Sequence, residues 1–299
     1  MADRDVTVLF EGGRFFEGPR WHDGSWWISD FYRHTVSRIA PDGTETLVVE
    51  VAAQPSGLGW LPDGSLVISS MKDHKVLRLA DGELSTLADL EGMVGGHLND
   101  LVTDANGHTF VGNFGFDLMG GGAPAPADLV RVDLDGSITV AATDLAFPNG
   151  MVITPDGSTL IVGETTGNRY TAFDLASDGT LSGRRSWAEF GPLPVADSFV
   201  EGMAQIKVAP DGCSLDAEGH IWVADALGNR CIRVAEGGAI VDEVTVPGGL
   251  GIYACQLGGD DGRTLLLCAA PDFFEHNRVA ANEAILFTTT VDVPHAGLP

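Results

Sequence analysis

The stretch FPNGMVITPDGSTLIVG, residues 147–163, carries the pattern that decides the fold. A polar side chain before a glycine leads into a short apolar run, a tight turn ends at Gly157, and a second apolar run follows. Turns of this kind end at six glycines, which are Gly24, Gly64, Gly107, Gly157, Gly219 and Gly262. The intervals between them are 40, 43, 50, 62 and 43 residues. Such intervals are typical of the blades of a β-propeller and not of helical repeats.

The segments that follow the turns predict blades of several antiparallel strands. WWISDFYRHTVSRI, LVISSMKDHKVLRL, LIVGETTGNRYTAFDL and IWVADALGNRCIRV each combine a β-branched or aromatic run, a short polar loop and a second run. No segment keeps a helical hydrophobic period, and 39 Gly and 15 Pro interrupt the chain throughout. We therefore predict an all-β fold, a six-bladed β-propeller with four antiparallel strands per blade, occupying residues 1–299 as one domain.

Strand-like runs at the two ends of the chain predict how the ring closes. VTVLFEGG near the N-terminus and AILFTTTV near the C-terminus would pair in the sixth blade, which removes open sheet edges. Two insertions, GNFGFDLMGGGAPAPAD and FGPLPVADSFVEGMAQIKVAP, mix aromatic and Met residues with Gly and Pro. We predict that both insertions are loops over one face of the ring.

Composition limits the classes of partner. With 17 basic and 42 acidic residues the formal charge is −25, which disfavours nucleic acid and anionic membranes. The start MADRDVTV is no signal peptide and no apolar run approaches the roughly 18 residues of a membrane span, so we expect a cytoplasmic protein. The cysteines lack metal-ligand spacing and are expected to be free buried thiols; they are Cys213, Cys231, Cys255 and Cys268. The oligomeric state is left open.

One polar residue recurs at the same register of five repeats. Counting back seven residues from Gly24 and eight from four later turn glycines reaches Glu17, Ser56, Asn99, Asn149 and Asp211. If the first strand of each blade lines the channel, these side chains share one mouth. Two carboxylates and two amides meeting there require a positive charge, and their oxygens suit a hard divalent cation, Ca²⁺ or Mg²⁺. The alternative is that Asn and Asp before Gly merely form turns, although turns do not require one fixed offset.

Four segments resemble a known family. FFEGPRW, HLNDLVTDANG, FPNGMVITPDG and APDGCSLDAEGHIWVAD are similar, in this order, to the signature segments of the gluconolactonase and regucalcin (senescence marker protein) family. The resemblance runs from about residue 12 to about residue 290. It implies a six-bladed propeller that holds one divalent cation through Glu17, Asn149 and Asp211, with Asn99 beside them in contact with metal, water or substrate. Ca²⁺ is the expected ion, and Mg²⁺, Mn²⁺ and Zn²⁺ are alternatives.

The chain departs from this family at two positions. Many members have an Asn where this chain has Ser56, and regucalcin-like members have an Arg where this chain has His97. An Arg would hold hydroxyl or carboxylate groups of a sugar-acid lactone through two parallel hydrogen bonds, which an imidazole cannot do in the same way. His97 is therefore either a rim residue without a catalytic role, or a hydrogen-bond partner of the substrate or a proton shuttle.

The resemblance implies a metal-dependent hydrolase that opens a lactone, a cyclic ester, by metal-activated water. Asp211 is the expected general base and Glu17 the second choice. No G-x-S-x-G motif suggests a serine nucleophile. Substrate contacts are expected from Asn99, His97 and Ser56.

Large apolar residues in the two insertions, represented by Phe114 and Phe199, predict an apolar lid and hence a preference for apolar lactones. The alternative is that these side chains pack only against their own loops. Other functions also stay open, namely a Ca²⁺-dependent phosphotriesterase, a strictosidine-synthase-like enzyme and a propeller that binds without catalysis.

Overall fold

The computed structural model describes residues 4–196 and 198–297, and the strands of this part of the chain form six four-stranded antiparallel sheets. The first twelve strands are β1 (Thr7–Gly13), β2 (Phe16–His22), β3 (Ser25–Asp30), β4 (Thr35–Ile39), β5 (Glu45–Glu50), β6 (Pro55–Trp60), β7 (Leu66–Ser70), β8 (Lys75–Ala80), β9 (Glu83–Asp89), β10 (Leu98–Thr103), β11 (Thr109–Asn113) and β12 (Ala127–Val132). The others are β13 (Ile138–Leu145), β14 (Pro148–Ile153), β15 (Thr159–Glu164), β16 (Arg169–Leu175), β17 (Leu181–Glu189), β18 (Pro210–Leu215), β19 (Ile221–Asp225), β20 (Arg230–Val234), β21 (Ile240–Val244), β22 (Gly251–Gly258), β23 (Thr264–Ala270) and β24 (Ala284–Thr290).

The sheets follow one another along the chain as the blades of a propeller. Blades 1 to 5 are β2–β5, β6–β9, β10–β13, β14–β17 and β18–β21, each in sequence order. The first strands of neighbouring blades contact each other all the way round, including β22 with β2, so the ring is closed. The predicted all-β, six-bladed fold is confirmed.

Blade 6 joins the two ends of the chain. Its strand order is β1-β24-β23-β22, and β1 pairs antiparallel with β24 through partners such as Val8 and Phe287. The predicted pairing of the terminal strands is therefore confirmed, and it gives the last blade its fourth strand. Such pairing leaves the ring without an open edge between its first and last blades.

The core lies between the blades. The inner strands are buried along nearly their whole length, whereas the fourth strands, such as β5 and β9, are largely exposed. This gradient explains the sequence pattern, because a strand covered on both faces is continuously apolar and an outer strand alternates. All four cysteines are buried and free, as predicted.

Helix is confined to short turns within the described residues. The two short α-helices are α1 (Phe199–Met203) and α2 (Glu275–Arg278), and Pro247–Gly249 form a 3₁₀ turn. No helix in the ranges 4–196 and 198–297 is long and apolar enough to cross a membrane.

Candidate active site

The first strand of every blade is irregular near its beginning, and this irregularity positions the site. In β2, β6, β10, β14, β18 and β22 the pairing with the next strand shifts register within the first five residues. Such a bulge re-aims the side chains beside it. The second residues of the first five of these strands are the polar residues predicted from the repeat, Glu17, Ser56, Asn99, Asn149 and Asp211. All five are buried, with at most 8% of their surface exposed.

Glycines after these residues allow neighbouring inner strands to approach each other. A Cβ on Gly57 would collide with the backbone of Asp100 and Leu101, and one on Gly150 would collide with the backbone of Asp211. The glycines are therefore required for the close approach of neighbouring inner strands.

The sixth blade contributes Tyr253, a residue that sequence reasoning missed. Gly150 faces the backbone of Asp211 and Gly212, and Gly212 in turn faces the backbone of Tyr253 and Ala254. Tyr253 thus occupies in blade 6 the place that Asp211 has in blade 5. A count of eight residues back from Gly262 reaches Ala254 instead, because Tyr253 stands five residues before the end of β22, whereas Asp211 stands four residues before the end of β18.

Asn149 and Asp211 are joined directly. The amide nitrogen Nδ2 of Asn149 donates to Oδ1 of Asp211 at 2.6 Å and to Oγ1 of Thr165 at 3.0 Å. Because both hydrogen bonds use the nitrogen, the carbonyl oxygen of Asn149 remains available as a ligand. The hydroxyl of Thr165 donates to the backbone oxygen of Pro210 at 2.7 Å.

Glu17 and Asp211 are buried carboxyl groups without a basic partner. Neither forms a salt bridge with any residue in the described part of the chain, and Glu17 accepts only the N–H of Gly18, at 3.1 Å. Burial, followed by the negative charges of Asp211 and Asp100, raises the pKa of Glu17 well above its ordinary value. Burial also raises the pKa of Asp211, against the hydrogen bond from Asn149 that lowers it. Two such groups are stable as carboxylates when a cation lies between them.

Asn99 and Ser56 form a second hydrogen-bonded pair. The hydroxyl of Ser56 donates to Oδ1 of Asn99 at 3.3 Å, while Ser69 donates to the backbone oxygen of Asn99 at 2.5 Å. Asn99 lines the cavity above the carboxylates, and Ser56 is not among the residues lining it. In this arrangement Ser56 contacts Asn99 and not the open space.

A buried salt bridge lies next to these residues in the channel, and the sequence analysis did not identify it. The guanidinium of Arg20 contacts Oδ1 of Asp100 at 3.0 Å and donates to the backbone oxygens of Leu101 and Pro19. Both side chains are about 5% exposed. The signal was present, because Arg20 stands three residues after Glu17 and Asp100 directly follows Asn99.

A small apolar cavity of about 80 Å³ lies over the carboxylates. Glu17, Asn99, Asn149 and Asp211 line it together, and no Lys, Arg or His of the described chain does. Its apolar lining includes Phe15, Phe31, Phe114, Leu118, Met119, Phe147, Met203, Ile206, Tyr253 and Phe273. Both predicted insertions therefore supply lining residues on the same face. The side chain of Phe199 lies outside what the structure describes.

His97 does not line this cavity. Its ring lies 5.7 Å from that of Phe114 and 6.5 Å from that of His74, and its Nδ1 is buried without a hydrogen-bond partner in the described structure. Burial, and then the positive charges of Lys72 and His74, lower the pKa of His97. In this position His97 packs behind Phe114, and its predicted contact with a substrate stays a prediction.

The donor set fits a hard divalent cation. Within residues 4–196 and 198–297 no three His, Cys, Asp or Glu side chains come together as a metal cluster. The available ligands are instead two carboxylates and the amide oxygens of Asn149 and Asn99, which together suit Ca²⁺ or Mg²⁺ better than softer metals.

The fold is thus a six-bladed propeller. Acidic and amide side chains are buried at one mouth of its channel, beneath an apolar cavity, so its class is that of propellers with a candidate site in the channel. The family model described as SMP-30/Gluconolactonase/LRE-like region matches residues 15–271. The chain belongs to this family, which confirms the resemblance predicted from its four segments.

Individual relatives agree with this assignment. The chain is 28% identical over 246 residues to pentonolactonase XacC of Haloferax volcanii, covering 81% of this chain and 77% of the relative. It is 24% identical to regucalcin of Xenopus laevis, covering 89% and 86%. A crystal structure of a calcium-binding protein, regucalcin, from Agrobacterium tumefaciens superposes with a TM-score of 0.78 at 23% identity over 99% of this chain and 97% of that one.

Proposed function

We propose that this protein is a metal-dependent lactonase. The observation that carries the proposal is the pair of buried carboxylates, Glu17 and Asp211, that share a cavity with two amides and no basic side chain. Membership of the gluconolactonase family and the similarity to a pentonolactonase support a cyclic ester as substrate.

The proposed cation ligands are Glu17, Asn149 and Asp211, with Asn99 beside them. Ca²⁺ is the proposed ion, because all these donors are hard oxygens. The Nδ2 of Asn149 is occupied by Asp211 and Thr165, so its oxygen is the atom that it presents to a cation. When bound, a divalent cation supplies Lewis-acid polarisation of the lactone carbonyl.

In the proposed reaction, side chains of the protein orient the substrate and transfer protons. The lactone ring lies against the apolar wall with its carbonyl towards the carboxylates, and Asn99 orients it by hydrogen bonding. A water molecule attacks the carbonyl carbon, and Asp211 accepts the proton that this water loses. The ring C–O bond then breaks, the departing oxygen takes up the proton that Asp211 accepted, and a hydroxy acid is released. Glu17 is the second candidate for the base.

The lining favours apolar lactones over polyhydroxylated ones. A sugar lactone brings several hydroxyl groups that need hydrogen-bond partners when buried. Around this cavity the partners are few, and Phe15, Phe114 and Phe147 form much of its wall. Among the residues that the structure describes, no Arg lines the cavity to hold a polar ring.

Metal analysis and a lactone panel test the proposal together. Purified protein is analysed for bound metals and is then assayed on γ-butyrolactone, γ-nonalactone and gluconolactone with and without chelator. We expect about one divalent ion per chain and a chelator-sensitive activity that Ca²⁺ restores. Full activity in chelator would contradict metal dependence, and hydrolysis of none of these lactones would contradict the reaction.

A further inference from the structure

A second cavity adjoins the candidate site and has no role in the chemistry described above. It is a groove of about 430 Å³, which we call the tail groove, lined mostly by apolar residues of the two insertions and of the end of β13, with Asp144, Thr166 and Arg169 as its polar members. Prominent among them are Pro124, Pro126, Leu145, Leu193 and Val195. Thr166, Met203 and Ile206 line both the tail groove and the site cavity, so the two spaces share one wall.

Hydrogen bonds hold the apolar edge of the tail groove in place. The side chain of Gln205 donates to the backbone oxygen of Val195 at 2.9 Å and accepts its N–H at 3.2 Å. The amide of Asn168 donates to the backbone oxygens of Pro192 and Gln205. These hydrogen bonds hold the edge of the groove in a defined conformation, although Leu193 is 50% and Val195 is 85% exposed. Large apolar side chains fixed in such exposed positions are typical of a binding surface.

The size of the site cavity indicates what the groove accepts. At about 80 Å³ the cavity is much smaller than typical ligand pockets of roughly 300–1,000 Å³, whereas the tail groove lies within that range. A substituent on a ring held at the carboxylates therefore has little room within the cavity itself, and the tail groove on the other side of Thr166, Met203 and Ile206 is an adjoining space of sufficient size. The residues lining the tail groove are mostly apolar, so the substituent that they favour is aliphatic.

We propose that the tail groove binds a linear aliphatic chain attached to the lactone ring, so that the substrates are long-chain alkyl or acyl lactones. This inference rests on the proposed lactonase function. Burial of a methylene favours binding roughly fourfold, so each added carbon that reaches the groove raises kcat/KM until the groove is filled.

A chain-length series tests this directly. We expect kcat/KM to rise about twofold to fourfold per methylene from γ-hexalactone to γ-dodecalactone. Leu193→Asp and Val195→Asp should each lower kcat/KM for γ-dodecalactone at least tenfold. Neither variant should change kcat/KM for γ-butyrolactone. Val200→Asp is the matched control, since Val200 is 71% exposed in the same insertion but does not line the groove.

The outcomes separate the two proposals. Hydrolysis that is independent of chain length, or a Val200→Asp variant as impaired as Leu193→Asp, would overturn the tail groove and leave the lactonase function intact. If no lactone is hydrolysed, the proposed function fails, and calorimetric binding of γ-dodecalactone to the protein and to Leu193→Asp still decides the groove. Equal binding by both would overturn it.

A different observation assigns a role to Thr165. Its hydroxyl donates to the backbone oxygen of Pro210, so towards Asn149 it can only accept. The carboxylate of Asp211 also accepts from Asn149. Two acceptors on one side of the amide require its NH₂ group there and turn its oxygen the other way. The preceding Glu164 is fully buried and held by Arg169 through two hydrogen bonds of 2.8 Å, which anchors this loop.

We infer that Thr165 is a positioning residue that sets the amide of Asn149 for cation binding, an inference that rests on the proposed cation site. Ca²⁺ affinity of the metal-free protein, measured by calorimetry without substrate, tests it. We expect Thr165→Val to weaken binding about tenfold, as partners of metal ligands typically do, and Thr165→Ser to stay within about twofold. Unchanged affinity in Thr165→Val, or equal losses in both variants, would overturn the role.

Discussion

The two mouths of the channel differ in size and in chemistry, and the larger one is not the mouth at which we propose that the reaction takes place. The mouth at the end of the inner strands, lined by Trp60, Met151 and the turn around Asp156, opens into a cavity of about 600 Å³. The opposite mouth has about 80 Å³ but contains two buried carboxylates without basic partners. Volume alone therefore does not locate the site. The free-energy cost of burying unpaired charge is the better indicator of a site, because a fold keeps buried carboxylates without basic partners only where another group or ion compensates their charge.

The largest expected effect is on turnover at the smaller mouth. Asp211→Asn keeps the shape but removes a charge and a proton acceptor, so kcat for an alkyl lactone should fall about 10²- to 10⁴-fold at saturating Ca²⁺. Asp156→Asn makes the same change at the larger mouth, on an exposed side chain, and should leave kcat within about twofold. Similar losses of kcat in Asp211→Asn and Asp156→Asn would show that the two mouths do not differ in their contribution to catalysis.

The next effect is on stability, at the salt bridge that lies between the mouths. Arg20→Met leaves Asp100 buried and uncompensated, so the free energy of unfolding in urea should fall by about 3–5 kcal/mol. The double variant Arg20→Met, Asp100→Asn removes both charges and should recover a large part of this loss. A single variant as stable as the parent would show that the pair contributes nothing measurable.

Removal of the cation that we propose at the smaller mouth should lower the thermal stability of the protein. At a free Ca²⁺ concentration of about 100 times Kd, binding adds about 2.7 kcal/mol, which corresponds to a rise in Tm of roughly 4–5 °C over the chelated protein. Glu17→Gln should reduce this rise strongly, whereas Asp156→Asn should retain it. A Tm that does not respond to Ca²⁺, Mg²⁺ or Mn²⁺ would argue against a cation at this mouth.

The smallest effect concerns selectivity within the smaller mouth. Phe114 is buried against Phe147 at 4.6 Å between ring centroids and forms part of the cavity wall. Phe114→Ala should lower the ratio of kcat/KM for γ-nonalactone to that for gluconolactone by roughly tenfold, since discrimination is expressed in this ratio. An unchanged ratio would mean that Phe114 only packs against neighbouring side chains such as Phe147 and does not contact the substrate.

Much of the site was predictable because a propeller repeats one unit. The register of the turn glycines identified Glu17, Asn99, Asn149 and Asp211, and all four line one cavity. The same count fails in blade 6, where one additional residue in the first strand moves the equivalent place to Tyr253. It also could not distinguish Ser56, which reaches only Asn99, from residues that face the open space. A register predicts which residues share a level, and local backbone irregularity decides where each side chain points.

The sequence by itself determined the six blades, the pairing of the chain ends and the acidic and amide residues at one level of the ring. These features follow from local patterns that occur in each repeat independently. The patterns are turns, apolar runs and a nearly constant offset between the polar residue and the turn glycine. Only the tertiary structure decided that Arg20 pairs with Asp100 across the channel, that Thr165 turns the amide of Asn149, and that His97 lies behind Phe114. Those contacts join residues on different strands and loops, and their geometry exists only once the ring has closed.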